Sequence, residues 1–223
     1  MVEYNLSINP LAEFVSAKPG RKNAIIRQKK YPNNFIPMWY RSARSSMQKY
    51  FKMGQSFDEI LDGISRLQNK NPSSDFQRSN TKNSIEALRK FLELQFPDNF
   101  RNIKCSFLNV EEKNFYINGV QVRVAPDIVL RIQKNGQNVI GGIKFHISKS
   151  SKFTYESAKC AATGLKLFLQ ETVAKDDEVV DPSYCLSVDV FGERVVQAPD
   201  NHDRYLKLLE SACDEFKTML NVA

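Results

Sequence analysis

Apolar positions change their period along this chain. Between residues 11 and 68 they recur mostly at helical spacing. WYRSARSSMQKYFK (39–52) places Arg41, Arg44, Gln48 and Lys52 at i, i+3, i+7 and i+11, which is one helix face. Trp39, Tyr40, Tyr50 and Phe51 fall mainly off that stripe, where they can pack against the body. Ser56 and Glu59 in SFDEILDGISRLQ have capping-box spacing and predict a helix start. The following stretch, NKNPSSDFQRSNTKNS, has no apolar period and reads as a linker.

SIEALRKFLELQF (84–96) is amphipathic, with Ala87, Leu88, Phe91, Leu92 and Leu94 inward. After it the pattern turns strand-like. NIKCSFLN (102–109) is followed by NFYI and VQVRV on either side of Asn118-Gly119, a strong hairpin signal. IVLRI and NVIGGIKFHI join at the turn KNGQ. YESAKCAATGLKLFLQ (155–170) reads as helix, SYCLSVDVF (183–191) as strand, and DRYLKLLESACDEFKTML (203–220) as a last amphipathic helix. A β–α–β crossover over 139–191 requires a mixed sheet with helices against it, so the expected fold class is an α/β sandwich. The expected organisation is a mainly helical section over 1–68, a polar linker over 69–83 and an α/β core over 84–223.

Composition fits that picture. The chain has 223 residues, 42% hydrophobic and 26% charged, as in an ordinary globular protein. No stretch approaches the roughly 18–20 apolar residues of a membrane span. MVEYNLSINP lacks a basic-then-apolar leader, so the cytoplasm is the expected compartment and no membrane partner is expected. Cys105, Cys160, Cys185 and Cys213 are scattered through apolar segments, which suits buried thiols better than a zinc site.

Charge adds a functional hint. Residues 1–52 carry ten Lys/Arg against two Glu, whereas the remainder carries 22 basic and 23 acidic groups. A basic section on a neutral body points to a polyanion partner, most simply nucleic acid.

Strand parity then locates candidate chemistry. In IKFHI, Ile143, Phe145 and Ile147 share the core face, leaving Gly142, Lys144 and His146 opposite. In PDIVLRI, Ile128, Leu130 and Ile132 form the core set, leaving Asp127, Val129 and Arg131 opposite. Adjacent strands would thus put a carboxylate and an ammonium on one surface, groups that Mg²⁺-assisted hydrolysis uses. An aspartate at a strand entry and an exposed lysine on an edge strand account for the same letters without chemistry. No P-loop, dinucleotide-binding or nucleophile-elbow motif is present.

Pro126-Asp127 and Gly142-Ile143-Lys144, with the lysine seventeen residues after the aspartate, resemble the PD-(D/E)XK nuclease superfamily. The resemblance covers residues 84–191, about half of the chain. It implies a restriction endonuclease-like αβββαβ core with a helical N-terminal extension. It also implies a Mg²⁺- or Mn²⁺-dependent nuclease acting on DNA, in which Lys144 contacts the water or the phosphate. Gly142 departs from the pattern, standing where the family has a metal-binding acid. Some members supply that acid from the next helix, and Glu156 lies twelve residues after Lys144. The resemblance therefore implies Asp127 and Glu156 as metal ligands, with Glu86 assisting from the helix before the first strand. Arg41, Arg44, Lys49, Lys52 and His146 are the expected nucleic-acid contacts. The alternative is an inactive nuclease-fold protein that binds nucleic acid or joins a larger complex; a homodimer is also open.

Overall fold

The computed structural model describes residues 4–32, 39–101 and 103–222. Residues 33–38 of the expected helical section, and Asn102 at the head of one expected strand, lie outside them.

The described chain is mixed α/β, with seven α-helices and two mixed sheets. The larger sheet has five strands: β2 (Cys105–Phe107), β5 (Ile128–Lys134), β6 (Gln137–His146), β7 (Glu178–Asp189) and β8 (Arg194–Gln197), in that spatial order. β5 and β6 form the expected antiparallel hairpin through Asn135 and Gly136, both at positive φ. β6 and β7 run parallel, joined by the crossover helix α6 (Tyr155–Thr172). Thr154 caps α6 by accepting the Ser157 N–H at 3.1 Å.

The smaller sheet was not foreseen. Its strands β3 (Asn114–Ile117) and β4 (Val120–Arg123) are the expected Asn118-Gly119 hairpin. However, β4 also pairs in parallel with β1 (Asn5–Ser7), a three-residue strand too short for any sequence period.

Helices cover both faces of the larger sheet. On one side lie α1 (Ile8–Ser16), α2 (Pro19–Lys30), α6, α7 (Asp203–Val222) and the smaller sheet, around a core including Leu11, Phe14, Val129, Ile140, Leu165 and Phe168. On the other lie α3 (Arg41–Lys52), α4 (Asp58–Gln68) and α5 (Asp75–Leu92), around Met47, Phe51, Phe91, Ile128, Ile143 and Phe145. The N-terminal helices therefore divide between the two faces.

Two expectations change as a result. The helix expected from residue 84 begins at Asp75: Ser74 accepts the Gln77 N–H, and the Gln77 side chain accepts the Ser73 N–H at 3.0 Å. This reciprocal cap organises a stretch that looks structureless by apolar period. In addition, the face of β6 opposite Ile143 and Phe145 is covered rather than open. Gly142 lies beneath Leu165 and Leu169 of α6, and His146 is buried against Phe153. A strand in the middle layer of a three-layer fold is buried on both sides, so polar parity does not signal exposure there.

Candidate functional site

Asp127 ends the loop before β5, and its backbone N–H donates to the Ile143 carbonyl at 2.9 Å, pinning the loop to β6. Its side chain is 3% exposed, and it gathers cations and donors from α3 and β6. Oδ1 accepts from the Arg44 guanidinium of α3. Oδ2 accepts the Phe145 N–H at 2.8 Å and has the Lys144 ammonium at 3.6 Å. The Gln48 amide donates to the Asp127 carbonyl at 3.0 Å, and Lys144 Nζ donates to the Ala125 carbonyl at 2.8 Å. Burial pulls the Lys144 ammonium below its ordinary pKa; Asp127 opposes that shift, and Arg44 adds to it. Strand pairing thus brings together Asp127 and Lys144, as parity predicted, but Arg44 arrives as an unforeseen third member.

The other expected acids are elsewhere. Glu156, in the first turn of α6, pairs with Arg204 of α7 at 3.0 Å. Glu86 on α5 pairs with Lys149 at 2.7 Å. No room is left beside Gly142 for a displaced carboxylate: a Cβ there would lie 3.0 Å from the Ile128 carbonyl and 3.1 Å from a Leu169 methyl. Among the described residues, no three His, Cys, Asp or Glu side chains are grouped to hold a metal ion. A divalent cation at Asp127 would share one carboxylate with two positive side chains, a poor donor set for Mg²⁺. The residues present do not fit that metal.

His146 also departs from its expected role. Its ring stacks on Phe153 at 3.8 Å, and Nε2 donates to the Ser151 carbonyl at 2.5 Å. Burial lowers its pKa, against the opposing pull of that carbonyl and of the charges on Asp189 and Glu13. A buried, neutral imidazole is a packing group, not a phosphate contact on an open face. Asp189 is fully buried and accepts the N–H groups of Phe153 at 2.6 Å and Gly192 at 3.0 Å.

The expected basic stripe on α3 splits. Arg44 and Gln48 turn inward to Asp127, whereas Arg41 and Lys49 face α4. There they line a hollow of about 510 Å³ with Arg66 and Lys70 of the α4 end, together with Ser42 and Ser45, and no acidic residue lines it. Gly63 lets the two helices approach: a Cβ at that position would be 2.9 Å from Ser46 Cβ. A neighbouring hollow of about 570 Å³ shares Leu67 and Lys70 and continues along α5 past Arg78, Lys82 and Arg89. Its one acid, Glu86, is the one already paired with Lys149. Arg41, Lys49, Arg66, Lys70, Lys82 and Arg89 make no ion pair among the described residues. Arg78, Lys82 and Arg89 stand at i, i+4 and i+11, a helical stripe legible once the helix is known to start at Asp75. Lys52 lies apart, exposed beside the small hollow over Asp127.

No protein-family model matches this chain, and no curated protein matches it. No helix among the described residues is long and apolar enough to cross a membrane.

Proposed function

We propose that this protein is a nuclease-fold module that binds nucleic acid without cleaving it. The connected hollows across α3, α4 and α5 are the observation that carries this reading. Six of the cations that line them make no ion pair among the described residues, and they stand beside serine hydroxyls that can donate to phosphate oxygens. Like charges gathered at this density repel one another, and a polyanion backbone relieves that repulsion by releasing its counterions. The order α5–β2–β5–β6–α6–β7, with an antiparallel trio and one parallel crossover strand, supports the restriction endonuclease-like core. In this reading the former catalytic aspartate has a structural task. Asp127 bonds Arg44 and faces Lys144, and so ties α3 to the sheet.

An active nuclease is the second reading. It is favoured by one observation, the approach of Lys144 to Asp127 at 3.6 Å, the pair that the family uses on water and phosphate. Fluorescence anisotropy with duplex DNA, single-stranded DNA and duplex RNA, followed by gel analysis of the same mixtures in Mg²⁺ and Mn²⁺, separates the two. Binding with intact substrate supports the binding module. Cleavage that disappears in Asp127→Ala supports the nuclease, and absence of binding to every substrate overturns both.

A further inference from the structure

A broad hollow lies away from the basic groove and has a different chemistry. About 680 Å³ in volume, it opens between α1, α2, the start of α3, α5 and the segment after β6. This size is in the range of small-molecule sites. We infer that it receives a single nucleoside phosphate, with the base against Trp39 and Tyr40 and the phosphate toward Arg44 and Lys149.

Three features of the wall support this. The first is a pair of aromatic rings that are already braced: Trp39 stands edge-on to Phe76 at 5.1 Å, and Tyr40 edge-on to Phe191 at 5.7 Å. Rings fixed this way offer a stacking surface with little ordering cost, and every base has a π-face to place on it. Tyr40 holds this position at φ 59°, a left-handed conformation rare for a bulky residue, with its N–H bonded to Asn80 at 3.0 Å. The second feature is carboxamides. Gln28 and Asn83 line the hollow without a hydrogen-bond partner among the described residues. Asn9 donates to the Phe145 carbonyl at 2.9 Å, while its buried Oδ1 has no partner there. Carboxamides present a donor and an acceptor side by side, matching the edges of nucleobases. The third is charge with donors to spare. Arg44 gives only Nη1 to Asp127, and Lys149 gives one bond to Glu86, so both retain donors for a phosphate. Arg21, by contrast, has its charge answered by a two-bond pair with Glu13.

This site stands independently of the basic groove, since it shares none of the groove's cations. Its nucleoside phosphate could be a free nucleotide or an unstacked residue of a strand, and the test distinguishes them. Trp39 is the only tryptophan in the chain, so its emission reads the site directly. The full-length protein is titrated with AMP, GMP, CMP and UMP, and with adenosine and inorganic phosphate as separate arms; calorimetry runs in parallel. Saturable quenching is expected with at least one mononucleotide, about tenfold tighter than with adenosine or phosphate alone. Lys149→Glu is expected to weaken it about tenfold, Asn83→Ala to change the preferred base, and Lys70→Glu, in the groove, to leave it unaltered. A single-stranded oligonucleotide displaced by the mononucleotide would place a strand residue in the site; quenching by the mononucleotide alone would place a free nucleotide there. No saturable change in emission or heat with any mononucleotide overturns the inference. So does wild-type binding by both Lys149→Glu and Asn83→Ala.

Discussion

Helix α3 supplies two regions that differ in one respect, whether its cations have been answered. At Asp127, Arg44 is paired with a buried carboxylate that also accepts a backbone N–H and faces a lysine, so its charge is answered inside the fold. One turn to either side, Arg41 and Lys49 meet Arg66 and Lys70, and nothing in the described chain balances them. Burial explains the contrast. A charge taken out of water must be paired or it destabilises the fold, so the first region is a matter of stability. A charge left in water needs no partner, so a cluster of them is free to serve a ligand. The two regions should therefore respond oppositely to substitution.

Asp127→Ala offers the sharpest break. It leaves Arg44 and Lys144 without their counter-charge and the Phe145 N–H without an acceptor. Removing one partner of a buried pair costs about 3–5 kcal/mol. Arg44 is 34% exposed and can regain water, so a loss near the low end, about 3 kcal/mol, is expected in urea unfolding. Any affinity for nucleic acid should survive in the folded fraction. The converse substitution, Arg66→Glu with Lys70→Glu, should leave the unfolding midpoint within experimental scatter while weakening duplex binding by about a hundredfold at low salt. If that pair instead lowers stability and spares binding, the contrast between the regions is wrong.

Gly142→Asp tests the motif itself. It places an acid where the PD-(D/E)XK pattern has one, yet the new Cβ would press on the Ile128 carbonyl and Leu169, with the carboxylate against leucines. A loss of about 2 kcal/mol or more is expected, with no gain in Mn²⁺ binding by calorimetry. A stable variant that binds the metal would show that this position can hold a metal ligand. The smallest effect concerns pH. Burial holds the His146 imidazole below its ordinary pKa, so the folded state prefers it neutral while the unfolded chain takes a proton near 6.5. Its contribution is complete above about pH 6.5 and is lost as pH falls through that value toward the folded-state pKa. His146→Phe should flatten the pH dependence of stability below about pH 6.5. An unchanged slope would mean that another group titrates there.

Much of this was legible in the residues. The Asn118-Gly119 and KNGQ turns placed two hairpins, and the crossover helix followed from its apolar spacing between two strands. Parity brought Asp127 and Lys144 together. The rest was hidden for particular reasons. The start of α5 rests on the Ser74–Gln77 cap, a polar signal without apolar period, and its omission concealed the stripe of Arg78, Lys82 and Arg89. Arg44 lies on the same helical stripe as Arg41, and only the position of the Asp127 loop makes one face inward. Gly142 reads as space in the sequence, but two leucines of α6 fill it in the fold. Spacing along a chain gives the side on which a residue lies, and packing decides what it meets there.

The most direct test of nucleic-acid binding by the α3–α4–α5 groove is the salt dependence of duplex binding, wild type against Arg66→Glu/Lys70→Glu. With about four to six phosphates neutralised, log affinity should fall against log salt with a slope of roughly −4 to −5. The double variant should be shallower by about two. A slope near zero, or one that the variant leaves unchanged, would contradict binding through this groove.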